Sequence, residues 1–209
     1  AAMIELITKT RREHILTLED PLEFNHETHM SLMNQRQIGQ HSQSFANALR
    51  AALRENPDVI LVGEMRDLET ISMAMTAAET GHLVLGILHT NSAPKTIDRI
   101  IDAFPKDAQE QVRTMLGESL KGVICQQLLR TADGKGRAAA LEILVCNAAV
   151  ANLIREAKTL QVPSIMQTAK GDGMQLMDQH ILDMLNAKLI NGDEAERSRV
   201  DKKVFKQEH

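Results

Sequence analysis

The sequence predicts an α/β fold in which a largely parallel sheet is flanked by helices and followed by a C-terminal helical subdomain. Short apolar runs typical of buried strands alternate with amphipathic stretches through residues 1–146, an order that favours parallel strands joined by helices. After residue 146 the pattern becomes helical, with breaks expected at Pro163, at Gly171 to Gly173 and at Asn191-Gly192. We therefore expect a core domain over residues 1–146 and a helical subdomain with a charged tail over residues 147–209.

The composition argues against several classes of protein. The 209 residues are 43% hydrophobic and 25% charged, which is enough for a packed core and unlike a disordered chain. A net charge of −4 and only four aromatic residues, all Phe, argue against a nucleic-acid-binding protein. Cys125 and Cys146 are too few and too far apart for a zinc cluster or a disulfide framework, so we expect no zinc and a reducing cytosol. No apolar run reaches the length of a membrane span, so any membrane contact is expected to be peripheral.

The first elements are expected as follows. Ala2 to Ile7 has the apolar spacing of a helix and there is no initiator Met, so we expect a fragment that begins inside an element. Ile15 to Leu18 is a short buried strand, and the polar residues 25–43, with one short strand-like patch, predict a long surface excursion. A helix from Phe45 to Leu53 follows, which Ser42 or Ser44 can cap.

The next apolar run, Asp58 to Val62, is continuous, as in a strand covered on both faces. Asp67 is expected to cap a helix from Leu68 to Thr80, and Leu83 to Leu88 is a second buried strand. The later expected elements are a helix at 93–103, a long helix at about 106–129, a hairpin turn at Asp133 to Gly136, a strand from Ala138 to Val145 and a solvated, partly frayed tail at 193–209.

Polar side chains follow three of the predicted strands. They are Glu19, Asp20 and Glu23 after the first, Glu64 after the second, and His89 and Thr90 after the third. Ligands of open α/β sheets bind at the carboxyl ends of the strands, and clustered acids there favour a bound Mg²⁺ with a nucleotide phosphate. The alternative is that each acid caps the helix that follows it.

The histidines could suggest a metal site, but the spacing of His82 and His89 argues against it. His82 and His89 lie seven residues apart, roughly 23 Å along a strand at 3.3 Å per residue, so they cannot share one ion. We expect His89 at the active edge, where it could sense a γ-phosphate, and His82 in a structural role or at a subunit contact. His26 and His29 lie in the polar excursion and are expected to be solvated.

A phosphate-binding loop of the form GxxxxGK[ST] does not occur in these residues. The Gly-Lys pair at Gly134-Lys135 is followed by Gly136 instead of Ser or Thr, and the earlier glycine position holds Leu129.

The motifs resemble those of the secretion-type hexameric ATPases. Ile15 to Phe24 resembles their Asp box, Ile60 to Asp67 their Walker B box and Gly81 to Thr90 their His box. Many members carry a four-cysteine zinc module that this sequence cannot form. The stretch Ala149 to Glu156 is similar to the AIRNLIRE motif of type IV pilus retraction ATPases, the PilT family, and departs from it at Val150 and Ala151.

This resemblance implies a RecA-like domain that starts just after its Walker A loop and belongs to a homo-hexamer using ATP and Mg²⁺. It implies that Glu64 is the catalytic carboxylate, that Glu19, Asp20 and Glu23 serve Mg²⁺ and water, and that His89 senses the γ-phosphate. Glu64 and Asp20 are the expected metal ligands, while Thr90 and Arg66 are expected near the nucleotide. Arg50, Arg54 and His82 are candidates for subunit contacts, and the expected coupling segment is Asn152, Leu153, Ile154, Arg155 and Glu156.

The function implied by this resemblance is an ATP-driven motor that disassembles pilin and supports twitching motility. Such a motor would lie in the cytoplasm, peripheral to the inner membrane, and would contact a platform protein and the pilus machinery there. An accessory retraction paralogue and a type II secretion or pilus-assembly ATPase are alternatives of the same class. A catalytically silent module is an alternative of a different class and is the expectation for these 209 residues on their own.

Overall fold

The computed structural model describes residues 1–200 and divides the chain into two compact units, Ala1–His89 and a second unit that begins at Thr90. The predicted α/β class is confirmed. The division of the core and the helical subdomain at residue 146 stays a prediction.

The first unit is built on a four-stranded parallel sheet with the strand order β2-β1-β3-β4. Its strands are β1 (His14–Glu19), β2 (Leu32–Gln37), β3 (Val59–Val62) and β4 (Leu83–Gly86). Its helices are α1 (Ala2–Thr10), α2 (Phe45–Ala52) and α3 (Leu68–Glu79). The two inner strands, β1 and β3, are the predicted apolar runs, and they are buried because helices cover both of their faces.

The two faces of this sheet have separate apolar clusters. Successive side chains of a strand point to opposite faces, so Leu16 and Leu18 lie on one face and Ile15 on the other. On the first face these leucines belong to a cluster that includes Leu49 of α2 and Ala77 of α3. On the second face Ile15 belongs to a cluster with Ile4 of α1 and Val59. Buried methylene groups contribute about 0.8 kcal/mol each, so this packing fixes the edge at which the strands end.

Two predicted helix caps are confirmed. The Ser44 side chain accepts a hydrogen bond from the Asn47 N–H at the start of α2, and the Asp67 side chain accepts one from the Thr70 N–H at the start of α3. Each cap satisfies an N–H group that the helix itself leaves without an acceptor.

The second unit combines a β-hairpin with helices. Its elements are α4 (Ala93–Asp102), α5 (Gln109–Ser119), β5 (Gly122–Arg130), β6 (Arg137–Val145), α6 (Ala148–Arg155), α7 (Val162–Thr168), α8 (Met177–Asn186) and α9 (Gly192–Ser198). Strands β5 and β6 pair antiparallel along nine residues each, from Gly122 opposite Val145 to Arg130 opposite Arg137. The predicted hairpin turn at Asp133 to Gly136 joins them.

The long helix predicted at 106–129 is wrong. The helix ends at Ser119, and β5 begins at Gly122. Val123, Cys125 and Leu129 are buried while the residues between them are more exposed, which is the two-residue period of a strand with one covered face.

The polar excursion contains β2, which pairs with β1 and agrees with the one strand-like patch expected there. Three smaller expectations need correction. Strand β4 ends at Gly86 instead of Leu88, and its residues are half-buried or exposed instead of buried. Pro163 does not break a helix but lies in the first turn of α7, where its missing N–H costs nothing. The predicted frayed tail begins as helix α9, and residues 201–209 lie outside the described residues. Among the described residues no helix is long and apolar enough to cross a membrane.

Candidate active site

Strands β1, β3 and β4 end in register at one edge of the sheet. Leu18 pairs with Val62, and Val62 pairs with Gly86. Beyond these residues the Gly63 N–H donates to the Leu18 carbonyl at 2.7 Å and the Ile87 N–H donates to the Val62 carbonyl at 3.1 Å. The backbone hydrogen bonds therefore continue one residue past the ends of β3 and β4. The side chains that follow these two strands lie at the same edge of the sheet.

Glu64 lies at this edge between two cationic or polar partners. Its carboxylate forms an ion pair with the Nε of Arg66, and the same oxygen, Oε1, lies 3.1 Å from Nε2 of His89. The Met65 N–H donates to the Ile87 carbonyl at 3.0 Å, which ties together the two chain segments that carry these side chains. The Glu64 side chain is 15% exposed, whereas the side chains of Arg66 and His89 are each 78% exposed, so the carboxylate is shielded and its partners face solvent.

Electrostatics keep Glu64 ionised. The hydrogen bond from Arg66 lowers the pKa of Glu64 below its ordinary value, and the charges of Arg66 and His89 act in the same direction, while partial burial opposes them. In return Glu64 raises the pKa of Arg66, and the charge of Asp20 adds to that effect. Asp20 therefore belongs to the same electrostatic neighbourhood as Glu64 and Arg66.

Two glycines that the sequence analysis did not single out let the strand ends approach. A Cβ on Gly63 would lie 2.8 Å from the Leu18 carbonyl oxygen, and one on Gly86 would lie 2.6 Å from the Sδ of Met65. At Gly63 the obstacle is backbone, so a larger residue would push β3 away from β1, whereas at Gly86 the flexible Met65 side chain would have to move. The sequence signal was a glycine directly before the acid that follows a buried strand.

The other predicted acids are placed differently. Oε1 of Glu19 accepts hydrogen bonds from Oγ1 of Thr17 at 2.7 Å and from Nε2 of Gln35 at 3.3 Å, so this side chain lies along the sheet face. Glu23 is exposed in the segment after β1. The structure thus brings Glu64, His89 and Arg66 into contact and places the charge of Asp20 where it acts on Arg66. Among the interactions of the described residues, Glu19, Asp20 and Glu23 have no contact with Glu64.

The expectation that His26 and His29 are solvated is wrong for His26. Its side chain is only 3% exposed and its Nδ1 lies 3.4 Å from Oε2 of Glu5, while Nε2 of His29 lies 3.5 Å from Oε1 of the same carboxylate. Both histidines hold the segment after β1 against α1. The acidic partner was missed because it lies 21 residues earlier in the chain than His26.

The three candidates for subunit contacts differ in whether their side chains already have a partner within this chain. Nη2 of Arg50 forms an ion pair with Oε1 of Glu69 at 2.7 Å, which links α2 to α3. Arg54 is exposed, and its guanidinium has no ion pair among the described residues. Nδ1 of His82 lies 2.9 Å from the Ala77 carbonyl and so satisfies the end of α3, which is the structural alternative foreseen for this residue.

Thr90 and the predicted coupling segment both lie in the second unit. Oγ1 of Thr90 is 2.7 Å from Oγ1 of Thr96 on α4. In α6, Ile154 is buried and Leu153 half-buried, so this side of the helix packs inward. Arg155 and Glu156 are exposed, and Nδ2 of Asn152 donates to Oε1 of Glu156 at 2.8 Å.

The residues at the sheet edge could bind Mg²⁺ together with a phosphate, but they do not form a site that holds Mg²⁺ by protein ligands alone. Within residues 1–200 no group of three or more His, Cys, Asp or Glu is arranged to hold a metal ion. Mg²⁺ usually takes only one or two carboxylates and completes its octahedron with water and substrate phosphate. Glu64 and Asp20 supply hard oxygen donors of that kind, so the donor chemistry fits.

Comparison with known proteins gives consistent matches. Residues 1–197 match the family described as Type II/IV secretion system protein. The chain is 58% identical over 197 residues to the twitching motility protein of Neisseria gonorrhoeae, covering 94% of this chain and 53% of that protein. It is 52% identical over 195 residues to the type IV pilus retraction ATPase PilT of Pseudomonas aeruginosa, covering 93% of this chain and 56% of that protein.

A solved structure has the same fold. The crystal structure of the pilus retraction motor PilT with bound ADP superposes with a TM-score of 0.89 at 50% identity, over 97% of this chain and 57% of that one. The chain therefore spans about half the length of the relatives it matches.

Proposed function

Because the chain belongs to the family of type II/IV secretion system proteins, we propose that it carries the hydrolytic carboxylate of an ATP-driven motor that retracts type IV pili. The family predicted from the three sequence boxes is confirmed. The activity is proposed from the identity of 52–58% to a twitching motility protein and a pilus retraction ATPase, together with the geometry at the sheet edge.

The observation that carries the proposal is the contact between Glu64 and His89. The two side chains come from segments after neighbouring parallel strands, and Oε1 and Nε2 lie 3.1 Å apart. A shielded carboxylate is suited to orient and deprotonate an attacking water, and a histidine beside it can donate a hydrogen bond to a phosphate oxygen. Both groups thus act on the same phosphoryl group from one edge of the sheet.

Each partner has a distinct task in this proposal. Glu64 accepts the proton of the attacking water, and Arg66 keeps it ionised until nucleotide arrives. His89 bonds the γ-phosphate and reports its presence. Mg²⁺, held by Asp20 and Glu64, would neutralise phosphate charge when bound.

The assembly proposed for the motor is a homo-hexamer on the cytoplasmic face of the inner membrane, in contact with a platform protein of the pilus machinery. Arg54 is the better candidate for a contact to a neighbouring subunit, because Arg50 is already paired with Glu69. The exposed residues Asn152, Arg155 and Glu156 would couple hydrolysis to the pilus, since Val150 and Ile154 anchor their helix and leave them accessible.

The test is made on the whole natural protein and in cells that carry its gene. The purified protein should hydrolyse ATP only when Mg²⁺ is present. Cells without the gene should extend labelled pili but fail to shorten them, and the wild-type gene should restore shortening. Normal pilus shortening in cells without the gene would contradict the proposal, as would a purified whole protein that hydrolyses no ATP.

A further inference from the structure

Glu142 is a buried carboxylate that neither the sequence motifs nor the proposed chemistry uses. It lies on β6 in an otherwise apolar strand and is only 5% exposed. Its Oε1 accepts from the Ala93 N–H at 2.7 Å, and its Oε2 accepts from the Met177 N–H at 3.4 Å. Within the part of the chain that the structure describes, no Lys, Arg or His pairs with it. A buried carboxylate held only by backbone donors indicates a built-in structural or positioning role.

The two donors are the first residues of two helices that lack caps of their own. Ala93 begins α4, and its N-cap residue Ser92 makes no side-chain cap hydrogen bond. Met177 begins α8, and its N-cap residue Leu176 makes none either. By contrast, α2, α3, α6 and α9 are capped by their own Ser44, Asp67, Asn147 and Asn191. Helices α1, α5 and α7 also lack a side-chain cap, but α4 and α8 share this one carboxylate, and the positive ends of both helix dipoles favour its negative charge.

The helix that Glu142 caps also holds Thr90. Oγ1 of Thr96, in the first turns of α4, donates to the Ser92 carbonyl at 2.9 Å and contacts Oγ1 of Thr90 at 2.7 Å. It also lies 3.8 Å from Sγ of Cys125, and Cys125 is the cross-strand partner of Glu142 on the hairpin. Burial raises the pKa of the Cys125 thiol, so this cysteine is a slow nucleophile while the cluster stays closed.

We propose that Glu142 is a positioning residue that fixes the start of α4, and through Thr96 holds Thr90 in place, while tying α4 to α8. Thr90 directly follows His89 in the chain, so the anchor limits how the histidine segment can move. This effect on catalysis rests on the proposed function. The anchoring of α4 is independent of it.

The first test measures the anchor directly in the 209-residue chain. In a Cys146→Ser background, so that only Cys125 can react, iodoacetamide labels Cys125 in the parent, in Glu142→Gln and in Asp98→Asn. Asp98 is the matched control, because it is an acid within α4 that also accepts a hydrogen bond, from Oγ1 of Thr159, but it does not cap a helix start. Glutamine keeps the shape of Glu142 but turns an N–H group toward one of the two helix starts.

We expect Glu142→Gln to raise the labelling rate of Cys125 about 10-fold, since local opening of α4 exposes the thiol, and Asp98→Asn to leave it within about 2-fold. Equal labelling rates in Glu142→Gln and the parent would overturn the proposal. If Glu142→Gln fails to fold by circular dichroism, Glu142→Asp replaces it, because the shorter side chain keeps the charge but cannot reach both helix starts, and the same rise in the labelling rate is expected.

The second test asks whether the anchor matters for turnover in the whole natural protein. We expect Glu142→Gln to lower kcat for ATP about 10-fold with KM within about 3-fold, the signature of lost preorganisation and not of lost binding. Thr96→Val should lower kcat in the same direction, and Asp98→Asn should change neither constant. Unchanged kcat in a Glu142→Gln protein whose Cys125 has become reactive would overturn the positioning role. If the wild-type protein hydrolyses no ATP, the proposed function fails, and the labelling test still decides whether Glu142 anchors α4.

Discussion

Glu64 in the first unit and Glu142 in the second are both shielded carboxylates, but side chains hold one of them and backbone holds the other. The partners of Glu64 are the side chains of Arg66 and His89, each 78% exposed. The partners of Glu142 are the N–H groups that begin α4 and α8. Exposed side chains change rotamer in picoseconds to nanoseconds, whereas a helix start moves only with its helix.

The difference in partners fits a chemical role for Glu64 and a structural role for Glu142. A carboxylate with the role proposed for Glu64, which is to accept a proton from water and to contact Mg²⁺, needs partners that can move away, and the exposed side chains of Arg66 and His89 are such partners. A carboxylate that must hold two helices needs partners that cannot leave, and Glu142 has those. Four variants and one double-mutant cycle test the first side of this comparison and the elements around it, beginning with the largest expected effect.

Replacing Glu64 by Gln should have the largest effect on chemistry and little on the fold. Loss of a general base costs about 10²-fold or more in rate, so kcat of the whole protein should fall at least about 10²-fold in Glu64→Gln. A steady-state ATPase assay measures this, with thermal melting to show that stability is kept. Glu79→Gln, at the exposed end of α3, is the matched control and should retain wild-type turnover. Near wild-type turnover in Glu64→Gln would remove that residue from the catalytic role.

Replacing Asn152 and Arg155 by Ala should separate hydrolysis from movement. Both side chains are exposed on α6, so their removal should leave the core intact. We expect pilus shortening to fall about 10-fold or more, while ATP hydrolysis stays within about 3-fold. Fluorescence microscopy of labelled pili and an ATPase assay measure the two effects, with Lys170→Ala as an exposed control. Equal loss of both activities would show that α6 supports the site or the fold instead.

Gly63→Ala should weaken the first unit without removing a charged group. The added Cβ would meet the Leu18 carbonyl oxygen at 2.8 Å, and such overpacking costs about 1–3 kcal/mol. At about 2–4 °C per kcal/mol for a chain of this size, the melting temperature should fall by several degrees. Gly171→Ala is the control, since a Cβ there meets no atom within 4 Å. A melting temperature equal to that of the Gly171→Ala variant would contradict the close approach of β1 and β3.

Arg66→Ala should move the acidic limit of activity. Because Arg66 lowers the pKa of Glu64, the carboxylate of the wild-type protein stays ionised to lower pH than an ordinary glutamate. Removing the guanidinium lets that pKa rise toward its ordinary value, so the acidic limb of the kcat profile should shift to higher pH. A rate profile across acidic pH measures the shift, and Arg12→Ala, exposed in the turn after α1, should not show it. A shift to lower pH in Arg66→Ala would contradict the ion pair.

Much of the first unit could be predicted from the sequence, because its elements are local. Continuous apolar runs predicted β1 and β3, and Ser44 and Asp67 predicted helix starts that the structure has. Glu64, Asp20 and His89 were singled out because strands that run parallel end at one edge. The structure brings Glu64 and His89 into contact there, and Asp20 acts on Arg66 through its charge alone.

The failures arise where distant segments decide the structure. The apolar spacing of Val112, Leu116, Leu120 and Val123 suits a helix, but residues from Gly122 onward pair with β6 instead, and tertiary pairing overrides propensity. For β2 the sequence predicts only a strand-like patch, because these residues are polar and the pairing with β1 is not visible locally. Glu142 had only a weak signal, a single acid inside an apolar run, since the helix starts that it caps lie 49 and 35 residues away in sequence.

The most direct test of the central claim is a double-mutant cycle on Glu64 and His89 in the whole protein. The account holds that these two side chains, 3.1 Å apart, act on one phosphoryl group as a unit. Groups that act as a unit lose their effect together, so kcat of Glu64→Gln combined with His89→Ala should be close to that of Glu64→Gln alone. If the two losses multiply in the double variant, the side chains act independently and the account is contradicted.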